Sequence, residues 1–417
     1  MSLMSIVRRS LRQHFLSSLI TVVSVGLAAG LTMSVFAINA QTYDAFTGGR
    51  VGFDAVLGAR GSQLQLVLNT VFHLETSPGN IPWSMYREIA DDSRVTLAIP
   101  YAVGDNYQGY RIVGTTTQMF TDFTYREGQG FELKSGGRVF DETKKEAIVG
   151  HYVADRLGLE VGSTFLPYHG LQFSERQRHN DQYTVVAVME PTNGPSDRVL
   201  WIPIEGIYRM SGHVLRGSGE PYRATDDAPV PEEHREVSAV MLKLRNPQAG
   251  FLLNQTINMQ GKVATLAWPI GRVMAELFDR IGWVSRILSM VAYLIVVVAA
   301  GSILASIYNT MNERRREFAI LRALGARRGT VFSAIVLEST TITALGALVG
   351  FLVYGGILSA AFVIVRAQTG VVLDAFKFDP ALWMTPVGMI LLGALAGLVP
   401  AFKAYRTDVA SNLTPLS

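Results

Sequence analysis

Four of the histidines and three of the acidic residues in the polar middle of the chain are candidate ligands, because side chains of these types can bind metal ions. They are His169, His179, His213 and His234, with Asp181, Glu232 and Glu233. Imidazole and carboxylate groups hold zinc when three or four of them converge, usually within compact motifs. The spacings in this sequence fit no such motif. We therefore interpret these residues as solvated side chains of polar loops, and we predict no metal site.

Motifs for catalysis are also missing from the sequence. There is no cysteine, which excludes disulfides, thiolate metal sites and cysteine nucleophiles. Neither H-E-x-x-H nor G-x-S-x-G occurs. The pair Gly261-Lys262 lacks the earlier glycine of a P-loop, so these residues cannot hydrolyse ATP by that route. We expect no catalytic residue and no cofactor bound by this chain.

A basic segment at residues 310–326, T-M-N-E-R-R-R-E-F-A-I-L-R-A-L-G-A, lies between two long apolar runs. Its cations are Arg314, Arg315, Arg316 and Arg322. Basic residues between membrane spans stay on the cytoplasmic side. Phe318, Leu321 and Leu324 recur at helical spacing, which predicts a short amphipathic helix ended by Gly325. A loop that only sets topology is the alternative, but it needs charge and no ordered apolar face.

The same segment resembles the cytoplasmic signature M-x-x-R-x-x-E-x-x-I-L-R-A-L-G-A of FtsX-like permeases, the membrane subunits of the MacB, LolC/LolE and FtsX class of ABC systems. The ungapped match is at Met311, Arg314, Glu317, Ile320, Leu321, Arg322, Ala323, Leu324, Gly325 and Ala326. The resemblance implies that this segment, including Arg315 and Phe318, is a coupling helix. It would dock on a separate MacB/LolD-like ATPase subunit that holds ATP and Mg²⁺.

Hydropathy divides the chain into membrane spans and one large polar domain. We predict an amphipathic cytoplasmic-face helix at 1–14, transmembrane helices at 15–40, 268–309 (with a stalk), 331–365 and 383–402, a periplasmic domain at 41–267, a coupling helix at 310–330, a short periplasmic loop at 366–382 and a cytoplasmic tail at 403–417. About 20 apolar residues cross the hydrocarbon. The first uncharged run is longer than a signal-peptide core of roughly 7–15 residues, so we interpret it as a retained span.

The polar domain alternates strand and helix signals. Residues 184–189 and 198–202 predict buried strands, and 240–244 predict a strand exposed at Lys243. The segment 137–162 predicts strand, helix, turn and strand. It resembles the MacB-like periplasmic core domain through the run G-R-V-F (137–140), E-A-I-V-G (146–150), V-A, L-G-L and V-G (161–162). The expected fold is an α+β integral membrane protein, with four transmembrane helices and a large mixed α/β periplasmic domain between helices 1 and 2. Residues 205–236 predict an exposed loop or insertion, which either receives a periplasmic or outer-membrane partner protein or is disordered.

The second span is predicted to continue beyond the membrane. Its apolar residues recur every three or four positions, at Val273, Leu277, Ile281 and Val284, and its charged residues Arg272, Glu276 and Arg280 follow i, i+4 spacing. One helix over residues 270–308 would be about 57 Å long, against about 30 Å of hydrocarbon. The excess would form a stalk, as in the family that the chain resembles. A span preceded by a separate interfacial helix is the alternative.

Small residues and one acid mark the spans. Three G-x-x-x-G pairs, Gly26/Gly30, Gly346/Gly350 and Gly393/Gly397, let helices approach closely, either within one chain or at the seam between two permease copies or related permeases. Glu338 lies near the start of the third span. It is either a functional intramembrane acid or a group that reaches water or pairs with the arginine cluster.

Together the residues and the resemblance imply a permease (transmembrane) subunit of an ABC transporter of the mechanotransmission type. It would sit among lipids of the bacterial inner membrane and move envelope cargo such as a lipoprotein, peptide, lipid or small molecule. The alternative is an FtsX-like regulator that activates a periplasmic cell-wall hydrolase. A membrane-anchored enzyme would need a catalytic constellation, which is missing. The net charge of +3 indicates no nucleic-acid partner.

Overall fold

The computed structural model describes residues 3–47, 52–126, 128–171, 173–210, 230–323, 325–374 and 377–406. The chain divides into two compact units. The helical unit comprises Met1–Thr42, Ile281–Val363 and Leu373–Ser417. The sheet unit comprises Tyr43–Arg280 and Ile364–Val372.

The described residues form both short helices and long apolar helices. In chain order, the α-helices of the described residues are Leu3–Gln13 (α1), Phe15–Thr47 (α2), Gln63–Thr70 (α3), Trp83–Ala90 (α4), Gln118–Thr121 (α5), His151–Leu157 (α6), Ile204–Tyr208 (α7), Pro247–Asn254 (α8), Ile270–Glu313 (α9), Arg315–Ala323 (α10), Arg328–Thr369 (α11) and Ala381–Arg406 (α12). Four helices of this described set, α2, α9, α11 and α12, are long and apolar enough to cross a membrane.

The sheet unit is built on one mixed sheet. The strands are Ala55–Ala59 (β1), Ile81–Pro82 (β2), Val95–Tyr107 (β3), Tyr110–Thr115 (β4), Thr124–Arg126 (β5), Gln129–Gly130 (β6), Glu146–Val149 (β7), Thr164–Phe165 (β8), Tyr168–His169 (β9), Tyr183–Val188 (β10), Val199–Pro203 (β11), Glu236–Val237 (β12), Ala239–Leu244 (β13) and Ala264–Ala267 (β14). The sheet order is β14-β1-β13-β3-β4-β11-β7-β10-β8, and β9 pairs with β3. The pairs β10/β7 and β11/β4 are parallel, and the other pairs of this sheet are antiparallel.

Both faces of the sheet are buried, which explains the continuous apolar runs of its central strands. Along β11, Val199 and Trp201 enter one hydrophobic cluster, whereas Leu200 and Ile202 enter the other. Successive strand residues point to opposite faces, so a run without polar residues indicates a sheet covered on both sides. The described short helices of the sheet unit contribute to these two layers.

The strands predicted at 184–189, 198–202 and 240–244 correspond to β10, β11 and β13. The strand, helix and turn predicted from the 137–162 run appear as β7, α6 and a turn, whereas the closing strand β8 begins just beyond the run, at Thr164. In that turn Gly158 and Gly162 have φ of +64° and +93°, which glycine adopts without strain. Within the predicted loop at 205–236, residues 211–229 lie outside the described residues.

Candidate coupling site

Helix α10 follows α9 directly and ends in a turn that depends on glycine. The N–H of Gly325 donates to the carbonyl of Arg322 (3.0 Å), and the N–H of Ala326 donates to the carbonyl of Leu321 (3.0 Å). Gly325 has φ of +96°. This pair of hydrogen bonds around a left-handed glycine ends a helix in a Schellman motif. Residues 310–313, which the sequence analysis assigned to the coupling helix, form the last turn of α9.

Arg314, between α9 and α10, is a buried cation surrounded by polar partners. Its Nη1 lies 3.0 Å from Oε2 of Glu338 and donates to the hydroxyl of Ser10 at 2.5 Å. Its Nε donates to Oε2 of Glu317 at 3.1 Å. The Ser10 hydroxyl in turn donates to the Glu338 carboxylate. The guanidinium carbon lies 4.8 Å from the centre of the Phe318 ring, within cation–π range.

This polar cluster, defined as Ser10, Arg314, Glu317 and Glu338, ties three helices to one another. Ser10 belongs to α1, Glu317 to α10 and Glu338 to α11. Gln13 of α1 adds a hydrogen bond from its Nε2 to Oε1 of Glu317 at 3.1 Å. The pairing of Glu338 with the arginine cluster is confirmed, and Arg314 is the member that binds it. Sequence reasoning missed Ser10, because nothing in an amphipathic helix marks one serine as a long-range partner.

The other coupling residues divide between an inward and an outward side of the segment. Met311 and Phe318 are buried, so they are not available to a partner. Phe318 was predicted to belong to the docking face, but its ring covers Arg314 instead. Leu321 and Arg322 are half-buried. The Arg315 side chain and Leu324 lie outside the described residues.

The outward side consists of Arg316, Ile320 and Ala323, which are all exposed. They follow i, i+4, i+7 spacing and therefore lie on one face of the helix. Ile320 is the large apolar residue of that face, with 44% of its surface exposed.

Glycines bring α2 and α11 into close contact within this one chain. A Cβ added to Gly30 would lie 2.5 Å from the Val353 side chain and 2.7 Å from the carbonyl of Gly350. Added Cβ atoms at Gly26 and Gly346 would also meet the opposite helix closer than 3.0 Å. These distances leave no room for a larger residue on either helix.

The third glycine pair packs α12 against α11. Added Cβ atoms at Gly393 and Gly397 would lie 2.3 Å from Thr343 and 2.7 Å from Ser339. The hydroxyl of Ser339 also donates a hydrogen bond to the carbonyl of Gly393. Of the two arrangements that the sequence left open, packing within one chain accounts for the contacts of all three pairs.

The predicted stalk residues of α9 have two different environments. Val273 and Leu277 pack into a hydrophobic cluster of the sheet unit. Arg272 and Glu276 form an exposed ion pair, with Nε and Oε1 3.3 Å apart. The remaining three residues, Arg280, Ile281 and Val284, are exposed. The first turns of α9 therefore belong to the fold of the sheet unit, because their apolar face completes its core.

Of the four candidate histidines, the structure brings two together. His169 and His179 lie beside Asp105, whose Oδ1 is 3.4 Å from Nδ1 of His169 and 3.3 Å from Nε2 of His179. The Asp105 carboxylate raises the pKa of His169. Asp181 instead binds Lys145 at 2.6 Å. Glu232, Glu233 and His234 share one turn, in which Nε2 of His234 lies 3.7 Å from Oε1 of Glu233. His213 is outside the described residues.

Asp105 was not predicted, because it lies in a strand and the candidate ligands were residues of polar loops. A signal was present in the sequence. Asp105 and Asn106 follow the largely apolar first part of β3, and both are buried. A buried polar pair in a strand needs partners, so such a pair indicates a polar cluster.

Two family profiles match this chain. The MacB-like periplasmic core domain matches residues 16–250, and the FtsX-like permease C-terminal region matches residues 289–409. The first match covers more than half of the chain, so the chain belongs to the family with a MacB-like periplasmic core domain. It is a membrane protein with a periplasmic domain, and its C-terminal helices are of the FtsX-like permease type.

Curated relatives share these features at low identity. The pyoverdine export ATP-binding/permease protein PvdT of Pseudomonas fluorescens is 25% identical over 279 residues, covering 64% of this chain and 37% of that protein. The macrolide export ATP-binding/permease protein MacB of Neisseria gonorrhoeae is 27% identical over 348 residues, covering 79% of this chain and 47% of that protein. The chain thus spans less than half the length of these two relatives.

A crystal structure of the periplasmic region of MacB from Actinobacillus actinomycetemcomitans aligns with 55% of this chain and 94% of that region, at 11% identity and a TM-score of 0.34.

Proposed function

We propose that this chain is the permease subunit of an ABC transporter of the mechanotransmission type in the bacterial inner membrane. ATP and Mg²⁺ would be bound by an ATPase outside these 417 residues, and a second permease copy or a related permease would complete the assembly. The FtsX-like match over α9 to α12 supports this proposal. The observation that carries it is the packing of α10. One side of this helix is buried against its own unit, and the other side is exposed.

The polar cluster gives α10 a way to pass force to the membrane helices. Arg314 adjoins α10 and binds α11 through Glu338 and α1 through Ser10. Hydrogen bonds between charged groups are stronger than neutral ones, and they are stronger still where water is excluded. A push by the ATPase on the exposed face at Ile320 would therefore displace α11 and α1 together with α10. We propose that this displacement is passed on to the periplasmic domain through the spans.

The cargo is proposed from the same comparisons. The two relatives carry pyoverdine export and macrolide export in their names. Both names refer to small molecules leaving the cell. Among lipoprotein, peptide, lipid and small-molecule cargo, these names favour small-molecule export.

The test is a detergent pull-down of the tagged chain from its native membrane, with mass spectrometry of the retained proteins. Ile320→Asp places a charge on the exposed face of α10 and should abolish retention of an ATPase. Met259→Asp, the same change at a residue of the sheet unit that is 78% exposed, is the matched control and should retain the ATPase. Absence of an ATPase from the wild-type sample would overturn the proposal. An envelope hydrolase retained together with the ATPase would favour the regulatory alternative.

A further inference from the structure

We infer that the sheet unit binds one divalent transition-metal ion of the zinc class through Asp105, His169 and His179. Each residue offers one ligand atom, and these three atoms lie within 4.8 Å of one another. Two histidines and one carboxylate form a ligand set that zinc uses in proteins, with a fourth position open to water or a partner group. The site shares no residue with the proposed coupling segment, so a test of metal binding does not depend on the proposed function.

The distances fit a metal of this size. With metal–ligand bonds of about 2.0–2.1 Å, tetrahedral ligand atoms are separated by about 3.3–3.4 Å. The Asp105 oxygen lies 3.3 Å from the His179 nitrogen and 3.4 Å from the His169 nitrogen. The third distance, between the ligand nitrogens of the two imidazoles, would reach the tetrahedral value through a movement of His169. The His169 ring is half-exposed, whereas Asp105 and His179 are buried, so the adjustment would fall on His169.

The backbone brings the ligand residues Asp105 and His169 next to each other. The ladder between β3 and β4 shifts register between Val103 and Asp105, so a bulge occurs at Gly104. Bulges redirect the side chain that follows them, and in this case that side chain is Asp105. His169 lies directly opposite Asp105 in the pairing of β9 with β3.

Hydrogen bonds fix the segment that carries both histidines. The Asn106 side chain donates to the carbonyl of Gly170 at 2.8 Å, and the N–H of Gly170 donates to the carbonyl of Gly104 at 2.8 Å. The N–H of His179 donates to the carbonyl of Pro167 at 2.9 Å. Supporting contacts of this kind orient metal ligands before the metal arrives. A bound ion would fasten this segment to β3 more firmly.

The ligand set also selects the metal. Imidazole nitrogen suits zinc, cobalt, nickel and copper, whereas calcium and magnesium prefer oxygen ligands. A site with two nitrogen donors and one carboxylate should therefore bind Zn²⁺ and Co²⁺ and ignore Mg²⁺ and Ca²⁺.

The experiment uses the full chain in detergent, purified through a tag without histidine and stripped with EDTA. Co²⁺ is titrated while the visible absorption of four- or five-coordinate cobalt is recorded. The wild type should bind one equivalent. Zn²⁺ at a hundredfold excess over its Kd should displace the cobalt and raise the melting temperature by about 5–10 °C, whereas Mg²⁺ and Ca²⁺ should leave it unchanged.

Two variants test the ligands, and one serves as the control. His169→Gln and Asp105→Asn should weaken Co²⁺ binding by more than about 100-fold, since even loss of a supporting residue weakens binding by roughly 10–100-fold. His234→Gln removes a histidine outside the site and should bind like the wild type. His169 is half-exposed, so His169→Gln decides the matter even if Asp105→Asn does not fold. Cobalt absorption that persists in His169→Gln, or a wild type without stoichiometric cobalt, would overturn the inference. In that case the carboxylate would bridge the two histidines by hydrogen bonds alone.

Discussion

The two units each contain a buried polar cluster, and the clusters are built in different ways. In the helical unit, Arg314 supplies a permanent cation that lies 3.0 Å from Glu338 and 3.1 Å from Glu317. In the sheet unit, the Asp105 carboxylate lies between two imidazoles, and an imidazole is charged only when it is protonated. The first cluster therefore carries its own cation. The second takes its positive charge from a proton or a metal ion.

This difference indicates two different uses of buried polarity. A permanent ion pair fixes which helices meet, because each charge is costly to bury without the other. A carboxylate flanked by two imidazoles presents several lone pairs close together, which suits a ligand that binds reversibly. The helical cluster thus serves to connect parts of the chain, and the sheet cluster serves to bind.

The largest expected effect comes from removing one charge of the helical cluster. Glu338→Ala or Arg314→Met leaves the partner charge buried, which should destabilise the helical unit by about 3–5 kcal/mol. The double variant Arg314→Met with Glu338→Leu removes both charges and should recover most of that loss. Thermal unfolding of the full chain in detergent measures both effects. Single variants that melt like the wild type would show that the pair does not connect these helices.

The double variant also separates folding from coupling. It should fold but lack the charged link between α10 and α11, so under the proposed function the activity of an ATPase in the assembled complex should no longer respond to the permease. A double variant that is as stable and as coupled as the wild type would mean that apolar packing alone transmits the force.

The second effect concerns how closely α2 approaches α11, the helix that carries Glu338 of this cluster. Gly30→Ala would place a Cβ 2.7 Å from a backbone carbonyl of α11, so the helices must separate, at a loss of roughly 1–3 kcal/mol. Gly355→Ala is the matched control, since a Cβ there meets no atom within 4 Å. Alanine replaces glycine favourably inside a helix, so the control should melt at the same temperature as the wild type or slightly higher. Equal destabilisation by both changes would refute close packing at Gly30.

Much of this architecture could be predicted from the sequence, because apolar length and alternation are local signals. The four long helices and the strands β10, β11 and β13 follow from such signals alone. The partner of Glu338 could be narrowed to an arginine cluster but not to Arg314. Ser10 and Arg314 are 304 positions apart, and only the packing of α1 brings them together. Asp105 required knowledge of a bulge, which hydropathy does not reveal.

The apolar residues of α10 do not all lie on one side of the helix. Helical spacing grouped Phe318 with Leu321 on one apolar face, and the resemblance placed both in the segment that docks on an ATPase. The structure turns Phe318 inward over Arg314 and exposes Ile320. An apolar stripe shows that a helix has a face to bury. It does not show whether that face meets the same chain or a partner.

An ion pair near the surface of the sheet unit should make the stability of the fold depend on pH. The buried pair of Arg314 and Glu338 does not test this effect. Arg138 binds Glu146 through two hydrogen bonds of 2.7 and 2.6 Å and holds the pKa of Glu146 below its usual value. A lowered folded-state pKa stabilises the fold above the unfolded pKa of about 4.3, and this stabilisation is lost as the pH falls through the folded pKa. Glu146→Gln should lower the melting temperature by about 2–5 °C at pH 7.

The difference in melting temperature between the wild type and Glu146→Gln should disappear as the pH is lowered below about 4. Melting curves of both proteins between pH 7 and pH 3.5 measure it. A gap that stays constant over this range would show that the amide loses packing or hydrogen bonds and not charge.

The smallest effect is expected where the sequence placed functional charges on the stalk. Arg272 and Glu276 form an exposed i, i+4 pair on α9, and such pairs contribute about 0.2–0.5 kcal/mol. The double variant Arg272→Ala with Glu276→Ala should therefore melt within about 1 °C of the wild type. Val273→Ala, at the buried neighbour of this pair, should melt clearly lower because it leaves a cavity in the core of the sheet unit. Since the double variant leaves the fold intact, any loss of transport that it causes reports on coupling or partner binding at the stalk, and unchanged transport would remove these two charges from the mechanism.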